Sequence, residues 1–306
     1  MIFGAIDIGT NTVRLLIKRR DDEGWHDLVR EMEITRLGEG VDREHIIKPE
    51  AMERTLSAFA RYKELMDEHG VERSRAIATS AMRDAGNADD FIRLVQERLE
   101  ITIEVITGEE EGRLTFAGAT GEDTPAPDDL LALVVDVGGG STEYIYGAEG
   151  IVFGAKSLDI GSVRLSEMFM QHDPPTPGEL ANVHEAVHDL TETVFAVIAA
   201  AKPAILIAVA GTATQASALV HKIAPYDPAK IHGSRITLTD LVELIKQLAS
   251  VPLEERKRIV GMHPKRADVI IAGAIILEET LRGLRFSEMV VSERDILDGI
   301  IYSMGI

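Results

Sequence analysis

The sequence contains no cysteine among its 306 residues. This absence excludes a disulfide framework, a thiolate metal site and a cysteine nucleophile, and it fits a reducing compartment. Long hydrophobic runs are missing too, because Lys202 and Pro203 interrupt the most apolar region, residues 194–210. Neither piece approaches the ~20 residues that span a bilayer. The opening residues lack the basic segment of a signal peptide. We therefore expect a soluble, cytoplasmic protein without a membrane partner.

Basic residues are scarce. The chain has 32 lysines and arginines against 51 acidic residues, which gives a net charge of −19. That balance argues against a general nucleic-acid binder, which usually presents a basic face. The apolar share of 45% and the charged share of 27% are those of a globular protein. At ~150 residues per domain, the length predicts about two domains.

Strand and helix patterns alternate along the chain. Two β-rich runs, 3–8 and 13–18, flank a short polar loop and predict a hairpin. Apolar residues recur at helical spacing over 49–69 and 89–99, with short strands between and after them. This alternation predicts an α/β fold. The acidic, proline-rich stretch 121–129 is the candidate domain boundary.

One sequence plan occurs twice. AIDIGTNT and VVDVGGGST are each an apolar strand that ends in Asp-x-Gly and runs into small polar residues. Asp7 and Asp136 hold equivalent places, which predicts two similar halves. We expect the two turns to face each other across a cleft. Ordinary tight hairpins are the alternative interpretation.

Both turns have the composition of a phosphate-binding loop. Small side chains, hydroxyls and accessible backbone N–H groups converge on an anion without adding charge. The loop residues are Gly9, Thr10, Asn11 and Thr12 in the first turn, and Gly138, Gly139, Gly140 and Ser141 in the second. The aspartate before each turn would repel phosphate unless it holds a divalent cation or a metal-bound water. A third segment, AVAGTATQASAL, leads from a strand through Gly211 and Thr212 into a helix predicted from Gln215, a weaker anion site.

In this order, the three segments resemble the actin/hexokinase/Hsp70 ATPase superfamily. Longer segments are similar to one family in it, the exopolyphosphatase/guanosine-pentaphosphate phosphatases, in its short form. They are DIGTNTVRLLI, ATSAMRDAGN, GEEEGRLTFAGA, VVDVGGGSTEY, LDIGSVRLSE, AVAGTATQASAL, IHGSRIT and PKRADVIIAGAIILE. The resemblance spans nearly the whole chain. Its most specific elements are G-x-E-E-x-R-L and D-x-G-G-G-S-T-E.

The resemblance implies a fold and a reaction. The fold is α/β, with two similar domains of actin-like (ribonuclease H-like) architecture flanking an active-site cleft. We expect residues 1–124 with a C-terminal helix at 293–306 in one domain, and residues 125–292 in the other. The reaction is Mg²⁺- or Mn²⁺-dependent release of terminal phosphate from polyphosphate. Guanosine pentaphosphate (pppGpp) is the alternative substrate, guanosine tetraphosphate a further expected ligand, and a homodimer the expected assembly.

The resemblance also assigns roles to acidic and basic side chains. It makes Glu111 the general base, with Asp136 and Glu143 positioning metal and water. Asp7, the aspartate before the first turn, is expected to be a further metal ligand. Glu110 has a structural explanation as the capping-box partner of Thr107, and Glu109 as a first-turn acid. Carboxylate neighbours would push the pKa of Glu111 upward, towards the range of a base.

Arg83 is expected to bind phosphate through its planar fork of donors, with a surface ion pair as the alternative. The chain departs from the family pattern where Gly112 replaces alanine. It departs again where Asp295 and Leu297 replace glycine and arginine.

Other interpretations stay open at this point. An ATP-dependent kinase or ATPase of the same superfamily, or a nucleotide sensor, would keep the glycine-rich loops. The presence of Glu111 beside them favours a hydrolase. His184 and His188 form an H-E-x-x-H pattern, but apolar spacing already explains that helix, so we expect no zinc site. The basic run 256–266 either guides polyphosphate or is a solvated loop.

Overall fold

The computed structural model describes residues 1–121 and 130–305. The chain forms two compact units: one comprises Met1–Gly118 and the C-terminal segment from Ile296, the other Ala119–Asp295. Apart from Gly121, the predicted boundary stretch 121–129 lies outside the described residues, and so does the predicted domain limit after residue 124. The predicted domain limits and the predicted cleft therefore stay predictions.

The strands of the described residues form two sheets. The first unit contains β1 (Ile2–Ile8), β2 (Val13–Asp21), β3 (Gly24–Glu33), β4 (Arg73–Ala78) and β5 (Ile103–Val105). The second contains β6 (Ala132–Val137), β7 (Thr142–Ala148), β8 (Ile151–Leu158), β9 (Ile205–Val209), β10 (Arg235–Thr237) and β11 (Glu288–Val291).

Helices connect these strands. They are α1 (Val41–Glu44), α2 (Pro49–Glu68), α3 (Ser80–Asp84), α4 (Ala88–Leu99), α5 (Gly108–Ala119), α6 (Ser162–Phe169), α7 (Pro177–Ala201), α8 (Ala210–Val220), α9 (Pro228–Ile231), α10 (Leu238–Ala249), α11 (Leu253–Arg256), α12 (Ile270–Leu284) and α13 (Ile296–Ser303). A 3₁₀ turn at Pro264–Arg266 precedes α12.

The two sheets share one topology. The first has the order β3-β2-β1-β4-β5, with β1, β2 and β3 antiparallel and β4 and β5 parallel to β1. In the second, β8-β7-β6-β9-β11 repeats this order, and β10 extends its edge. The repeated sequence plan thus marks a repeated fold. The predicted α/β class with two similar halves is confirmed.

Apolar patterning accounts for the core of each unit. Every residue of β6 is buried, as expected of a strand packed on both faces. Helix α12 is buried over most of its length, as expected of a helix that is apolar almost all round. Helix α7 begins with a capping box: the N–H of Glu179 donates to Thr176 Oγ1 at 3.2 Å, and the Glu179 carboxylate accepts from the Thr176 N–H at 2.8 Å.

Candidate active site

The first turn joins β1 to β2 and holds Asp7 against a basic partner. Asp7 and Arg14 face each other in the β1–β2 register. The Nε and Nη2 atoms of Arg14 donate to Asp7 Oδ2 at 2.9 and 2.6 Å. The N–H of Gly9 donates to the carbonyl of Thr12 at 2.9 Å and closes the turn. Arg14 therefore offsets the charge of Asp7 inside the unit.

The carbonyl groups of this loop accept hydrogen bonds from the segment that follows β3. The carbonyls of Thr10 and Asn11 accept from the N–H groups of Gly38 and Arg36 at 2.8 and 3.0 Å. Within residues 1–121 and 130–305, the N–H groups of Thr10, Asn11 and Thr12 donate to no other residue. The Nδ2 atom of Asn11 is buried without a hydrogen-bond partner. An unmatched buried donor is costly, so the loop has the donor set of an anion site.

The second turn, between β6 and β7, has the same construction. The N–H of Gly138 donates to the carbonyl of Ser141 at 3.0 Å, matching the bond that closes the first turn. The N–H groups of Ser162 and Val163, at the start of α6, each donate at 2.9 Å to the carbonyls of Gly138 and Gly139. Helix α6 therefore fixes the carbonyl side of the loop.

Close packing keeps the second loop rigid. Arg164 Nε donates to the carbonyl of Gly140 at 2.8 Å. A Cβ atom on Gly161 would lie 2.3 Å from the carbonyl oxygen of Gly139, so only glycine fits there. Among the described residues, the N–H groups of Gly139, Gly140 and Ser141 have no protein acceptor. Both turns thus present backbone donors in the pattern that binds phosphate.

Two carboxylates face each other beside the second turn. Asp136 and Glu143 are cross-strand partners in β6 and β7, and both are buried. Side chains directly opposite on neighbouring strands lie close on the same face of a sheet. Ser157 Oγ donates to Glu143 Oε1 at 2.7 Å and orients that carboxylate. The position that carries Arg14 in the first unit thus carries an acid in the second.

This carboxylate pair fits a magnesium ion better than Asp7 does. Mg²⁺ is usually held by one or two carboxylates together with water and phosphate oxygens. Asp136 and Glu143 supply that ligand type next to a phosphate-type loop, whereas Asp7 already pairs with Arg14. Asp136 and Glu143 are therefore the residues that would hold the metal.

Helix α5 buries the third of three adjacent glutamates. Glu111 is 7% exposed, and its Oε2 atom accepts from Arg83 Nη1 at 2.8 Å. Arg83 Nη1 also donates to the carbonyl of Ile106 at 3.0 Å. Burial raises the pKa of Glu111 to about 7; the nearby charge of Asp7 acts in the same direction, while Arg83 and Arg14 oppose it. Of the predicted site residues, Asp7, Arg83 and Glu111 lie together.

The two preceding glutamates face outward. Glu109 forms an exposed ion pair with Arg113 at 2.8 Å. The N–H of Glu110 donates to Thr107 Oγ1 at 3.2 Å, which is one half of the predicted capping box. The Glu110 carboxylate, which would form the other half, accepts instead from Arg75 at 2.8 Å, so the predicted box is only half formed. Neighbouring identical residues thus have three different environments.

The third glycine segment differs from its prediction. Helix α8 begins at Ala210, directly after β9, so Gly211 and Thr212 lie in its first turn and not in a loop before a helix at residue 215. Thr212 Oγ1 donates to the carbonyl of Val137 at 2.7 Å and ties α8 to the end of β6. Ala210 holds a left-handed backbone, with φ of 61°, which allows this abrupt change from strand to helix.

Sequence reasoning did not single out two basic residues near the predicted loops, although one of them belongs to the basic run 256–266. Arg14 could have been predicted from the sequence, because the repeat places it at the position that matches Glu143, which was identified. The second is Arg266, whose guanidinium lies 2.3 to 2.6 Å from where a Cβ atom on Gly211 would be. The basic run therefore divides: Arg256 is buried and bonded to three backbone carbonyls, whereas Arg266 lies at the start of α8.

The two histidines of the H-E-x-x-H pattern, His184 and His188, have different surroundings. His184 Nδ1 lies 2.7 Å from Glu279 Oε1, and its Nε2 lies 3.7 Å from Glu278 Oε2. These three side chains are close enough to hold a metal ion, but Arg282 already pairs with both glutamates. His188 is exposed. An ion-pair network between α7 and α12 accounts for the cluster.

Comparison with known proteins identifies relatives along the whole chain. The profile of the Ppx/GppA phosphatase family matches residues 16–305. Exopolyphosphatase 2 of Mycobacterium tuberculosis is 42% identical, over 98% of this chain and 97% of its own. A crystal structure of an exopolyphosphatase from Cytophaga hutchinsonii aligns with a TM-score of 0.92 at 30% identity, covering 99% of this chain and 97% of that one. The Aquifex aeolicus Ppx/GppA family member aligns with a TM-score of 0.81 at 34% identity, with the same coverage.

The chain therefore belongs to the Ppx/GppA phosphatase family. The resemblance stated from the sequence is confirmed, and with it the prediction of an enzyme that hydrolyses phosphoanhydride bonds. No helix in the described part of the chain is long and apolar enough to cross a membrane.

Proposed function

We propose that the chain is an exopolyphosphatase that releases terminal phosphate from inorganic polyphosphate through water activated by Glu111. The observation that carries this proposal is the environment of Glu111. It is the one buried member of three adjacent glutamates, it is bonded to Arg83, and its pKa is raised to about 7. A general base works best with a pKa near the operating pH.

The chemistry follows from how Glu111 is held. Near neutral pH a large share of its carboxylate is ionised and accepts a proton from water. Arg83 fixes one carboxylate oxygen, which leaves the other to face the attacking water. Positioning and electrostatics carry most of phosphoryl-transfer catalysis, and a base adds typically 10²–10⁴-fold.

Phosphate binding is assigned to the two loops and Arg83. The backbone donors of residues 9–12 and 138–141 match phosphate oxygens, and Asn11 Nδ2 supplies a buried side-chain donor. Arg83 adds a fixed positive charge beside Glu111. Arg266 adds positive charge at the start of α8, where Gly211 and Thr212 contribute the backbone N–H groups of the first helical turn.

Mg²⁺ or Mn²⁺ is assigned to Asp136 and Glu143. When bound, the ion supplies positive charge against phosphate oxygens. Asp136 and Glu143 bind it as carboxylate ligands, and Ser157 holds Glu143 in place through the 2.7 Å hydrogen bond. Asp7 is assigned a smaller part, orienting Arg14 at the first loop.

The other functions considered from the sequence make less use of this site. A kinase transfers phosphate to a bound acceptor, and a nucleotide sensor needs no base. Neither accounts for a buried carboxylate whose pKa is raised into the neutral range. Guanosine pentaphosphate ends in the same phosphoanhydride, so the same residues would hydrolyse it. A cytoplasmic homodimer remains part of the proposal, and sedimentation at several protein concentrations tests the dimer.

The experiment is Mg²⁺-dependent phosphate release, measured in parallel on long polyphosphate, short polyphosphate, guanosine pentaphosphate and ATP. We expect the highest kcat/KM with polyphosphate and no turnover when the metal is chelated. A higher kcat/KM for guanosine pentaphosphate would reassign the substrate. Hydrolysis of ATP alone would overturn the proposal.

A further inference from the structure

The C-terminal helix is in contact with the helix that carries Glu111, although the two are far apart in the sequence. We propose that α13 is a positioning element of the active site, and that Gly299 is the residue that lets it hold α5, and therefore Glu111, in place. This inference rests on the proposed role of Glu111 as the base.

The contact between the two helices is made by backbone atoms. A Cβ atom on Gly299 would lie 1.8 Å from the carbonyl oxygen of Leu114 and 2.6 Å from its carbonyl carbon. Real Cβ atoms do not approach backbone so closely, and backbone cannot rotate away as a side chain can. Leu114 lies one helical turn after Glu111. Any side chain at position 299 must therefore move α5 or α13.

An apolar cluster joins the same elements. Leu114 and Ile106 belong to it together with the buried face of α13, formed by Ile296, Leu297, Ile300 and Ile301. Ile106 precedes α5, and its carbonyl accepts the hydrogen bond from Arg83. The cluster thus supports both the helix that bears Glu111 and the carbonyl that anchors its arginine partner.

Polar contacts fix α13 at both ends. Near its start, Asp298 is fully buried and accepts from Lys18 at 2.5 Å and from Arg30 at 2.8 Å. At its end, Arg75 donates to Ser303 Oγ at 3.0 Å and to the Glu110 carboxylate at 2.8 Å. Arg75 therefore bridges α13 and the first turn of α5.

Release of α5 has two consequences for catalysis. A displacement of about 1 Å in catalytic geometry can cost on the order of 10²-fold in rate. Water reaching Glu111 would also remove the burial that raises its pKa, so the pKa would fall towards its ordinary value. The acid limb of the pH–rate profile would then move to lower pH.

The test is Gly299→Ala, with Gly283→Ala as the matched control. Gly283 lies in α12 of the other unit, where a Cβ atom would meet Phe195 Cδ2 at 2.5 Å, so that variant introduces crowding in a helix that carries no proposed site residue. For Gly299→Ala we expect kcat to fall about tenfold or more with KM changed little. The acid limb of kcat/KM should move to lower pH, and hydrogen exchange should rise in α5. Gly283→Ala should leave the limb and α5 exchange unchanged.

A second variant covers the case in which Gly299→Ala does not fold. Leu297→Ala removes an apolar contact of α13 without overpacking, and we expect the same direction of change with a smaller amplitude. The inference would be overturned if the folded variants kept the wild-type acid limb of kcat/KM and the wild-type rate of hydrogen exchange in α5. Full activity of Glu111→Gln would instead overturn the proposed base, whatever Gly299→Ala does, so the two failures are distinguishable.

Discussion

Residue identity at one register position distinguishes the turn of the first unit from the turn of the second. The hairpins of the two units match in their closing hydrogen bonds, yet Asp7 faces Arg14 and Asp136 faces Glu143. An arginine beside an aspartate neutralises it, while a second carboxylate adds charge that a divalent cation relieves. The metal assignment therefore follows from the residue that faces each aspartate on the neighbouring strand, which is Arg14 for Asp7 and Glu143 for Asp136.

The first prediction concerns that metal. Asp136→Asn keeps size and hydrogen bonding but removes one negative charge from the pair. We expect the Mg²⁺ concentration for half-maximal activity to rise about tenfold or more, or turnover to be lost. A Mg²⁺ titration of phosphate release measures this. An Asp136→Asn enzyme with the metal dependence of the wild type would remove Asp136 from the metal site.

The second prediction concerns the buried amide of Asn11. Asn11→Asp replaces a donor that has no partner with an acceptor of nearly the same shape. Hydrogen bonds to charged groups contribute about 1.5–3 kcal/mol, so we expect KM for polyphosphate to rise about tenfold or more. Steady-state kinetics at fixed free Mg²⁺ check it. Unchanged KM would mean that this donor does not meet phosphate.

Among the secondary-structure elements, those with local signals were predictable and those defined by distant contacts were not. The capping box of α7 needs only Thr176 and Glu179, so the sequence alone predicts it. The third strand of each sheet was missed, because β3 and β8 are edge strands with many part-exposed residues and weak apolar alternation. The start of α8 was placed too late because a left-handed residue at Ala210 has no sequence signal.

The third prediction concerns the capping box. Thr176→Ala removes the acceptor for the Glu179 N–H, which typically costs about 1 kcal/mol. For a unit of this size we expect a Tm lower by roughly 2–4 °C. Phosphate release at 25 °C should stay at the wild-type rate, because α7 carries no site residue. Differential scanning calorimetry beside the activity assay gives both numbers, and an unchanged Tm would show that the box contributes little.

At the scale of the whole molecule, the sequence predicted the repeat of two halves. It predicted only in part that the end of the chain packs on the first unit. Matching Asp-x-Gly turns predicted two halves because each turn follows the same kind of strand. The terminal helix was assigned to the first half by resemblance, but no sequence pattern predicted the close contact between Gly299 and Leu114. Leu297, which replaces an arginine of the family pattern, is buried in that apolar cluster.

The fourth prediction concerns the anchoring of that helix. Burial alone would raise the pKa of Asp298, but the charges of Arg30 and Lys18 outweigh it and lower that pKa. A lowered pKa contributes stability at neutral pH that is lost as the pH falls through the acidic range. Asp298→Asn leaves the buried Lys18 paired with the part-exposed Asp27 at 3.2 Å and removes the buried carboxylate that it shares with Arg30. Breaking a buried ion pair costs up to about 3–5 kcal/mol, so we expect a loss of about 3 kcal/mol or less at pH 7. Urea unfolding at pH 7 and pH 4 measures this, and the variant should differ less from wild type at the lower pH. Equal losses at both pH values would contradict the assignment.

The measurement that most directly tests the account is the kcat of Glu111→Gln beside that of Glu110→Gln. Glutamine keeps the size of the side chain but cannot accept the proton. We expect Glu111→Gln to lose roughly 10²-fold or more in kcat with KM largely retained, and Glu110→Gln to turn over near the wild-type rate, because its carboxylate faces Arg75. In the wild type, kcat/KM should rise with pH through about 7, the pKa of Glu111, and Glu111→Gln should lose that limb. If Glu110→Gln abolishes turnover while Glu111→Gln does not, or if neither change affects kcat, Glu111 is not the base.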